Sequence, residues 1–197
     1  MTHIDNIPHI LQYGITHMSS PNANPQYRAI GDSELIARRS SERRSTISGK
    51  IFIPGDFIPF YFYVRMPMLY NIQHGYRVEK VSPEDIVYLI AALNPIVSDP
   101  DRELFFSDGH AMSAMSSFYG KDMIDKMDTI LDRSAILNDE WGDDYKVKVR
   151  KQAEFLVKGD IPMDCVLGLC CYNSRAKERL LEMGASCEIY VYPKAYY

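Results

Sequence analysis

The chain has 197 residues, 46% of them hydrophobic, which is enough for one well-buried core and short for two, so a single domain over 1–197 is expected. A formal net charge of −4 argues against wholesale coating of nucleic acid but leaves room for a local basic groove. No apolar run approaches the ~20 residues that cross a bilayer, the opening MTHIDNIPHI lacks the parts of an export signal, and no His/Cys cluster has metal-ligand spacing. A cytoplasmic protein is therefore expected, with no metal, no membrane association and reduced thiols at Cys165, Cys170, Cys171 and Cys187.

In chain order, HIDNIPHILQYGI (3–15) reads as a strand end and then a short helix, with Asn6 as its N-cap, Pro8 in the first turn and Gly14 just past its end. Residues 16–33, rich in Pro, Asn and Gln, read as loop. SELIARRS (33–40) predicts one or two helical turns and SERRSTISGK (41–50) a polar loop. DFIPFYFYVRMPMLYNI (56–72) is dense in aromatics and bracketed by prolines, which predicts a buried central strand and a turn. For EDIVYLIAAL (84–93), periodicity does not choose between strand and helix. DGHAMSAMSSFYGKDMIDKMDTIL (108–131) reads as mostly helical, with Met112, Met115, Phe118 and Tyr119 on one side. YKVKVRKQAEFLV (145–157) and DIPMDCVLGLCCY (160–172) read as strands. SRAKERLLEMG (174–184) follows as a helix from Ser174 to Gly184, and SCEIYVYP (186–193) as a last strand. Mixed strands and short helices without a βαβ rhythm predict an α+β fold.

No GxGxxG, P-loop or GxSxG motif is present. The unusual residue is Glu154, a carboxylate inside an apolar strand, where acidic side chains are rare. It either faces water at a sheet edge or serves chemistry. Strand alternation places it on one face with Leu156 and Gln152, and the row continues back through Arg150, Lys148 and Lys146, a path for a phosphate backbone. A second basic stretch runs from Arg28 through Arg38, Arg39, Arg43 and Arg44 to Lys50. Taken alone, each basic run also fits a solvated face. His110 in SDGHA fits a catalytic base and a structural histidine equally, and Tyr61, Tyr63 and Tyr119 fit base stacking or core packing.

THIDNIPHILQYGI, GDSELIARRS, DFIPFYFYVRMPMLYNI, DGHA and KQAEFLVKGDIP occur in an order that resembles the DarT family of bacterial DNA ADP-ribosyltransferase toxins, from residue 2 to about residue 175. The resemblance implies an ADP-ribosyltransferase-like fold, two packed β-sheets with short helices around an NAD cleft. It implies transfer of ADP-ribose from NAD to a base of single-stranded DNA, thymine before guanine, with a DarG-like macrodomain antitoxin as partner. Matched onto this chain, it assigns Glu154 and Arg39 to catalysis. NAD binding falls to His3, Ile4, Asp5 and Asn6, with Arg39 and Arg65. DNA binding falls to His110 and Tyr119 beside the basic row Lys146, Lys148 and Arg150. His3 stands almost at the start of the chain, so either a short first strand or a trimmed N-terminus is expected. Where relatives carry aromatics after DGHA, this chain has Met112 and Ser113. An enzyme of the same fold acting on RNA or protein, and an inactive NAD- or nucleic-acid-binding module, are the alternatives. The presence of His3, Arg39 and Glu154 together disfavours inactivity.

Overall fold

The computed structural model describes residues 1–142 and 144–197. β1 (Thr2–His3) is short, as expected, and runs through a 3₁₀ turn into α1 (Ile7–Tyr13). Gly14 ends α1 at φ 80°, where a side chain would be strained and a Cβ would collide with the Ile161 carbonyl. Asn6 holds the N-cap position of α1 but makes no side-chain capping hydrogen bond. Its side chain instead donates to Thr2 Oγ1 and the Arg28 carbonyl and accepts from the Arg28 N–H, tying the following loop to β1.

α2 (Ser33–Ser41) forms where SELIARRS predicts it. The polar run after it is not all loop: β2 (Arg44–Ser45) and β3 (Ile51–Phe52) pair as an antiparallel hairpin. β4 (Phe57–Tyr61) is the strand of the aromatic run, and α3 (Pro67–His74) follows it. The ambiguous run 84–93 supplies a strand, β5 (Ile86–Ala91), followed by α4 (Leu93–Ser98) and β6 (Leu104–Ser107). The predicted helix over 108–131 is corrected. Residues 108–117 form a bonded loop, Phe118 and Tyr119 belong to β7 (Phe118–Gly120), and only α5 (Met127–Ile130) is α-helical.

α6 (Arg133–Leu137) and α7 (Tyr145–Lys151) precede β8 (Glu154–Lys158). The long strand expected over 145–157 is thus a helix and a strand. Asp144 caps α7 by accepting from the N–H groups of Lys146 and Val147, and that cap overrides the two-residue alternation of YKVKV. β9 (Val166–Cys171), α8 (Ser174–Glu182) and β10 (Glu188–Val191) complete the chain order. α8 opens at Ser174 as expected, and Asn173 caps it by accepting from the Ala176 N–H.

The chain divides into two compact units. The first, Met1–Asp32, Met68–Pro100 and Gly159–Tyr197, holds a four-stranded sheet in the order β1-β5-β9-β10. α1 and α8 contribute Ile7, Ile10, Ala176 and Leu180 to a core with Val87, Leu169 and Ile189. The second, Ser33–Pro67 and Asp101–Lys158, holds an antiparallel sheet in the order β4-β8-β6-β7. Its core stacks Phe52 on Phe105 at 4.2 Å, with Phe57, Phe118 and Leu156 around them. β4 is an edge strand, not the central one expected. Pro59, which has no N–H for a second ladder, lies exposed there. β8 is an interior strand, as is β6, and Glu154 to Val157 are all buried, so neither face of β8 meets water there.

Candidate active site

Glu154 opens β8 and is 0% exposed. Its backbone N–H donates to Ser107 Oγ at 3.2 Å. Its Oε1 accepts from the Ala111 N–H at 3.0 Å, and its Oε2 accepts from Arg39 Nη1 at 2.8 Å. A buried carboxylate is tolerable when it is paired and hydrogen-bonded, and both oxygens here are. The edge-facing-water reading of Glu154 therefore fails. Its cross-strand neighbour is Tyr61, whose phenol is pushed well above its usual pKa by burial and then by the charge of Glu154.

Arg39 reaches this carboxylate from α2, and the helix can approach because of Gly55. A Cβ on Gly55 would lie 2.6 Å from Ser40 Cα and 2.8 Å from the Arg39 carbonyl oxygen. The second amino group, Arg39 Nη2, is buried and has no hydrogen-bond partner among the described residues. A desolvated guanidinium donor without an acceptor is costly in isolation and suits an oxygen-rich ligand. Arg38, beside it, points away and pairs with Glu42 at 2.7 Å.

The SDGHA loop frames the carboxylate. Asp108 closes it by accepting from the Ser117 N–H at 2.7 Å, and the His110 N–H donates to the Val149 carbonyl at 2.9 Å. Gly109 is required by the packing, since a Cβ would meet Ser116 Oγ at 2.7 Å and Val149 Cγ1 at 2.9 Å. His110 Nδ1 accepts from the Met112 N–H at 3.3 Å, so the neutral ring carries its proton on Nε2. Burial, the largest effect, holds the His110 pKa below its ordinary value against the opposing pull of Glu154.

Arg65 adopts the left-handed conformation at φ 54°, unusual for a residue with a side chain, and pairs with Asp139 at 3.4 Å. Asp139 also lies 3.8 Å from Lys151, a fully buried lysine that donates to the Ile136 carbonyl at 3.0 Å and sits 5.3 Å over the Tyr63 ring. Burial lowers the Lys151 pKa. Tyr119 stacks on Phe106 at 5.0 Å.

The basic row predicted to share a strand face with Glu154 does not exist, because Lys146, Lys148 and Arg150 stand on α7. Lys146 is exposed, Lys148 lies 5.1 Å over the Trp141 ring, and Arg150 is paired with Asp132 at 2.9 Å. In the first unit, His3 is buried and its Nδ1 accepts from the Asp5 N–H at 3.1 Å. Desolvation lowers its pKa. Asp5 pairs with Arg28 at 2.9 Å, and Ile4 is core, leaving its backbone as the part that a ligand can meet.

Sequence reasoning missed Ser107, the Ala111 N–H, Gly55 and Lys151. Only the SDGHA string signalled the first two, and it drew attention to its histidine instead.

Comparison with known proteins defines the class. The structure of Thermus sp. 2.9 DarT in complex with ADP-ribosylated ssDNA matches with a TM-score of 0.84 and 26% identity, covering 100% of this chain and 93% of that one. The same DarT in complex with NAD+ matches with a TM-score of 0.78, again at 26% identity, covering 100% and 94%. The fold is that of an ADP-ribosyltransferase. A DNA ADP-ribosyl transferase of Thermus sp. (strain 2.9) is 30% identical over 185 residues, 93% of this chain and 84% of that protein. A DNA ADP-ribosyl transferase–DNA ADP-ribosyl glycohydrolase fusion protein of Thermosipho africanus is 27% identical over 158 residues, 80% of this chain and 37% of the fusion. The family model described as ssDNA thymidine ADP-ribosyltransferase, DarT, matches residues 1–197, and the chain belongs to this family.

Proposed function

We propose that this protein transfers ADP-ribose from NAD to thymine in single-stranded DNA and acts as the toxin of a toxin–antitoxin pair, with a DarG-like macrodomain glycohydrolase as its antitoxin. The observation that carries the reading is Glu154, buried and held on both oxygens, in a chain that the DarT family model matches from end to end. The glycohydrolase joined to the transferase in the Thermosipho africanus fusion supports an antitoxin of that chemistry. Because the family model runs through both units, we read them as one catalytic domain. No helix of the described residues is long and apolar enough to cross a membrane. We place the protein in the cytoplasm, where DNA and NAD are at hand and its four free cysteines would stay reduced.

The residues fit NAD. Arg39 Nη2, buried without an acceptor, matches an oxygen of the diphosphate or ribose, and Arg65 supplies a second cation in the same unit. His3, Ile4, Asp5 and Asn6 are assigned to the nicotinamide and its ribose on the family resemblance. Bound NAD supplies a ribose carbon whose bond to nicotinamide, a neutral leaving group, breaks as a base nitrogen bonds to it. Glu154 places its negative charge against the positive charge that builds at that carbon, and Arg39 and the Ala111 N–H keep it from swinging away. The same carboxylate is assigned the proton that thymine N3 gives up. His110, neutral and carrying its proton on Nε2, is a donor for a base carbonyl. Tyr119 and the α7 residues Lys146, Lys148 and Arg150 are assigned to the strand around the target base.

Pairing hides thymine N3 in a duplex, so single strands are the expected substrate. The test is labelled NAD offered with oligonucleotides of restricted base composition, with duplex DNA, with RNA and with protein. Label on thymine-containing single strands is expected. Label on a thymine-free, guanine-containing strand but not on its guanine-free counterpart would overturn the choice of base, and label confined to RNA or protein would overturn the choice of acceptor.

A further inference from the structure

Arg44 lies in β2, outside every assignment above, and its guanidinium reaches the backbone that touches Glu154. Arg44 Nε donates to the Ala111 carbonyl at 3.1 Å, and Nη2 reaches the Met112 carbonyl at 3.4 Å and Glu42 Oε2 at 2.9 Å. Glu42 is itself anchored, its Oε1 accepting from Arg38 Nε at 2.7 Å. Ala111 is fully buried, and its N–H is the donor to Glu154 Oε1. The turn is held from its other side by the His110 N–H on the Val149 carbonyl and the Met112 N–H on His110 Nδ1. The planar fork of arginine aims two nitrogens at two successive carbonyls, a rigid geometry that the single nitrogen of lysine does not reproduce.

We infer that Arg44 is a positioning residue for the transfer reaction: by gripping the carbonyls of Ala111 and Met112 it fixes the Ala111 N–H on Glu154, and it acts on the chemistry only through that carboxylate. The inference rests on the reading of Glu154 as the catalytic group. Arg44 is only 22% exposed, and its donors are already committed to carbonyls and to Glu42, so substrate binding does not depend on it. Its loss should therefore appear in kcat and not in KM.

The experiment measures kcat and KM for NAD and for a thymine-containing single strand in Arg44→Gln and Arg44→Lys, each in the wild-type and Glu154→Gln backgrounds. Small misplacements near a reacting group cost up to about 10²-fold, so Arg44→Gln should lower kcat by about tenfold or more. Both KM values should stay within about twofold, the pattern of a lost transition-state interaction. Arg44→Lys, with its three donors on one nitrogen and no planar fork, should recover part of the loss. In the Glu154→Gln background, Arg44→Gln should cost nothing further, because two residues acting through one group are not additive.

A raised KM at unchanged kcat would overturn the inference by showing direct substrate binding, and a full further loss in Glu154→Gln would overturn it by showing a route around the carboxylate. If Arg44→Gln does not fold, Arg44→Lys carries the test: an intermediate kcat at unchanged KM supports the inference, and a wild-type kcat overturns it. An inactive wild type would end the functional reading, whereas an active wild type indifferent to Arg44 ends this inference alone.

Discussion

A carboxylate lining an open cleft is removable at little cost to the fold, but Glu154 is not of that kind. It accepts hydrogen bonds from Ala111 and Arg39 in a fully buried position, so Glu154→Ala strands two donors. Breaking a buried ion pair by removing one partner costs about 3–5 kcal/mol, and calorimetry should show the thermal midpoint of Glu154→Ala falling accordingly. Glu154→Gln keeps the volume and an oxygen for the Ala111 N–H, so it should retain more stability. It should still lose transfer by about 10²–10³-fold, the scale of a removed electrostatic stabiliser. A Glu154→Ala protein as stable as wild type would mean that the pair with Arg39 is not formed in solution. Glu154 was legible as a candidate from its place in an apolar strand and from the family resemblance. Its partners were not, because a backbone N–H such as that of Ala111 leaves no mark in the amino-acid sequence.

Among the elements, α7 shows why a local pattern misleads. Lys146, Val147, Lys148 and Val149 alternate polar and apolar, which is the strand period, yet Asp144 caps a helix there and turns Val149 and Lys151 inward. A lysine buried completely, as Lys151 is, belongs to no pattern that hydropathy can detect. β4 was misread for a related reason: its aromatics look central, and only the exposed Pro59 marks an edge. By contrast, α1, α2, α8 and β10 were legible because proline, glycine and apolar spacing agreed.

The helix also changes what the basic residues of α7 can do. Lys146 and Arg150 are one turn apart, but Arg150 already pairs with Asp132, while Lys146 is exposed and forms no ion pair among the described residues. Each phosphate contact adds about 0.7 to the salt slope of single-strand binding, so Lys146→Ala should flatten log Kd against log salt by about that amount. Arg150→Ala should change the slope less. Equal slopes in wild type and Lys146→Ala, read by fluorescence anisotropy, would mean that DNA does not cross this helix.

At the scale of the whole molecule, the buried His3 and the half-buried His110 tie stability to pH. Burial lowers the pKa of both His3 and His110 below the ordinary value of 6.5. As pH falls through 6.5 the unfolded chain takes up protons that the folded chain does not yet accept. The stability from keeping them neutral is therefore present above that value and is lost on acidification toward the folded-state pKa. Each histidine can contribute at most about 1.4 kcal/mol per pH unit across that window. The urea midpoint should drop between pH 7 and pH 5, and His110→Asn should drop less steeply. Parallel curves for the two proteins would remove His110 from this account.

The interleaving of the two units has a consequence for synthesis. Arg39 and Glu154 both leave the ribosome before β9 and β10, and until those strands arrive β5 has only the two residues of β1 to pair with. Tyr196 then locks the finished sheet, its hydroxyl 2.9 Å from the Ile86 carbonyl and 3.1 Å from that of Cys170. A nascent or prematurely terminated chain can thus display Glu154 while half of the sheet that carries His3 is still missing. A stop codon placed anywhere between Glu154 and β9 should disarm the gene as completely as one placed ahead of Arg39.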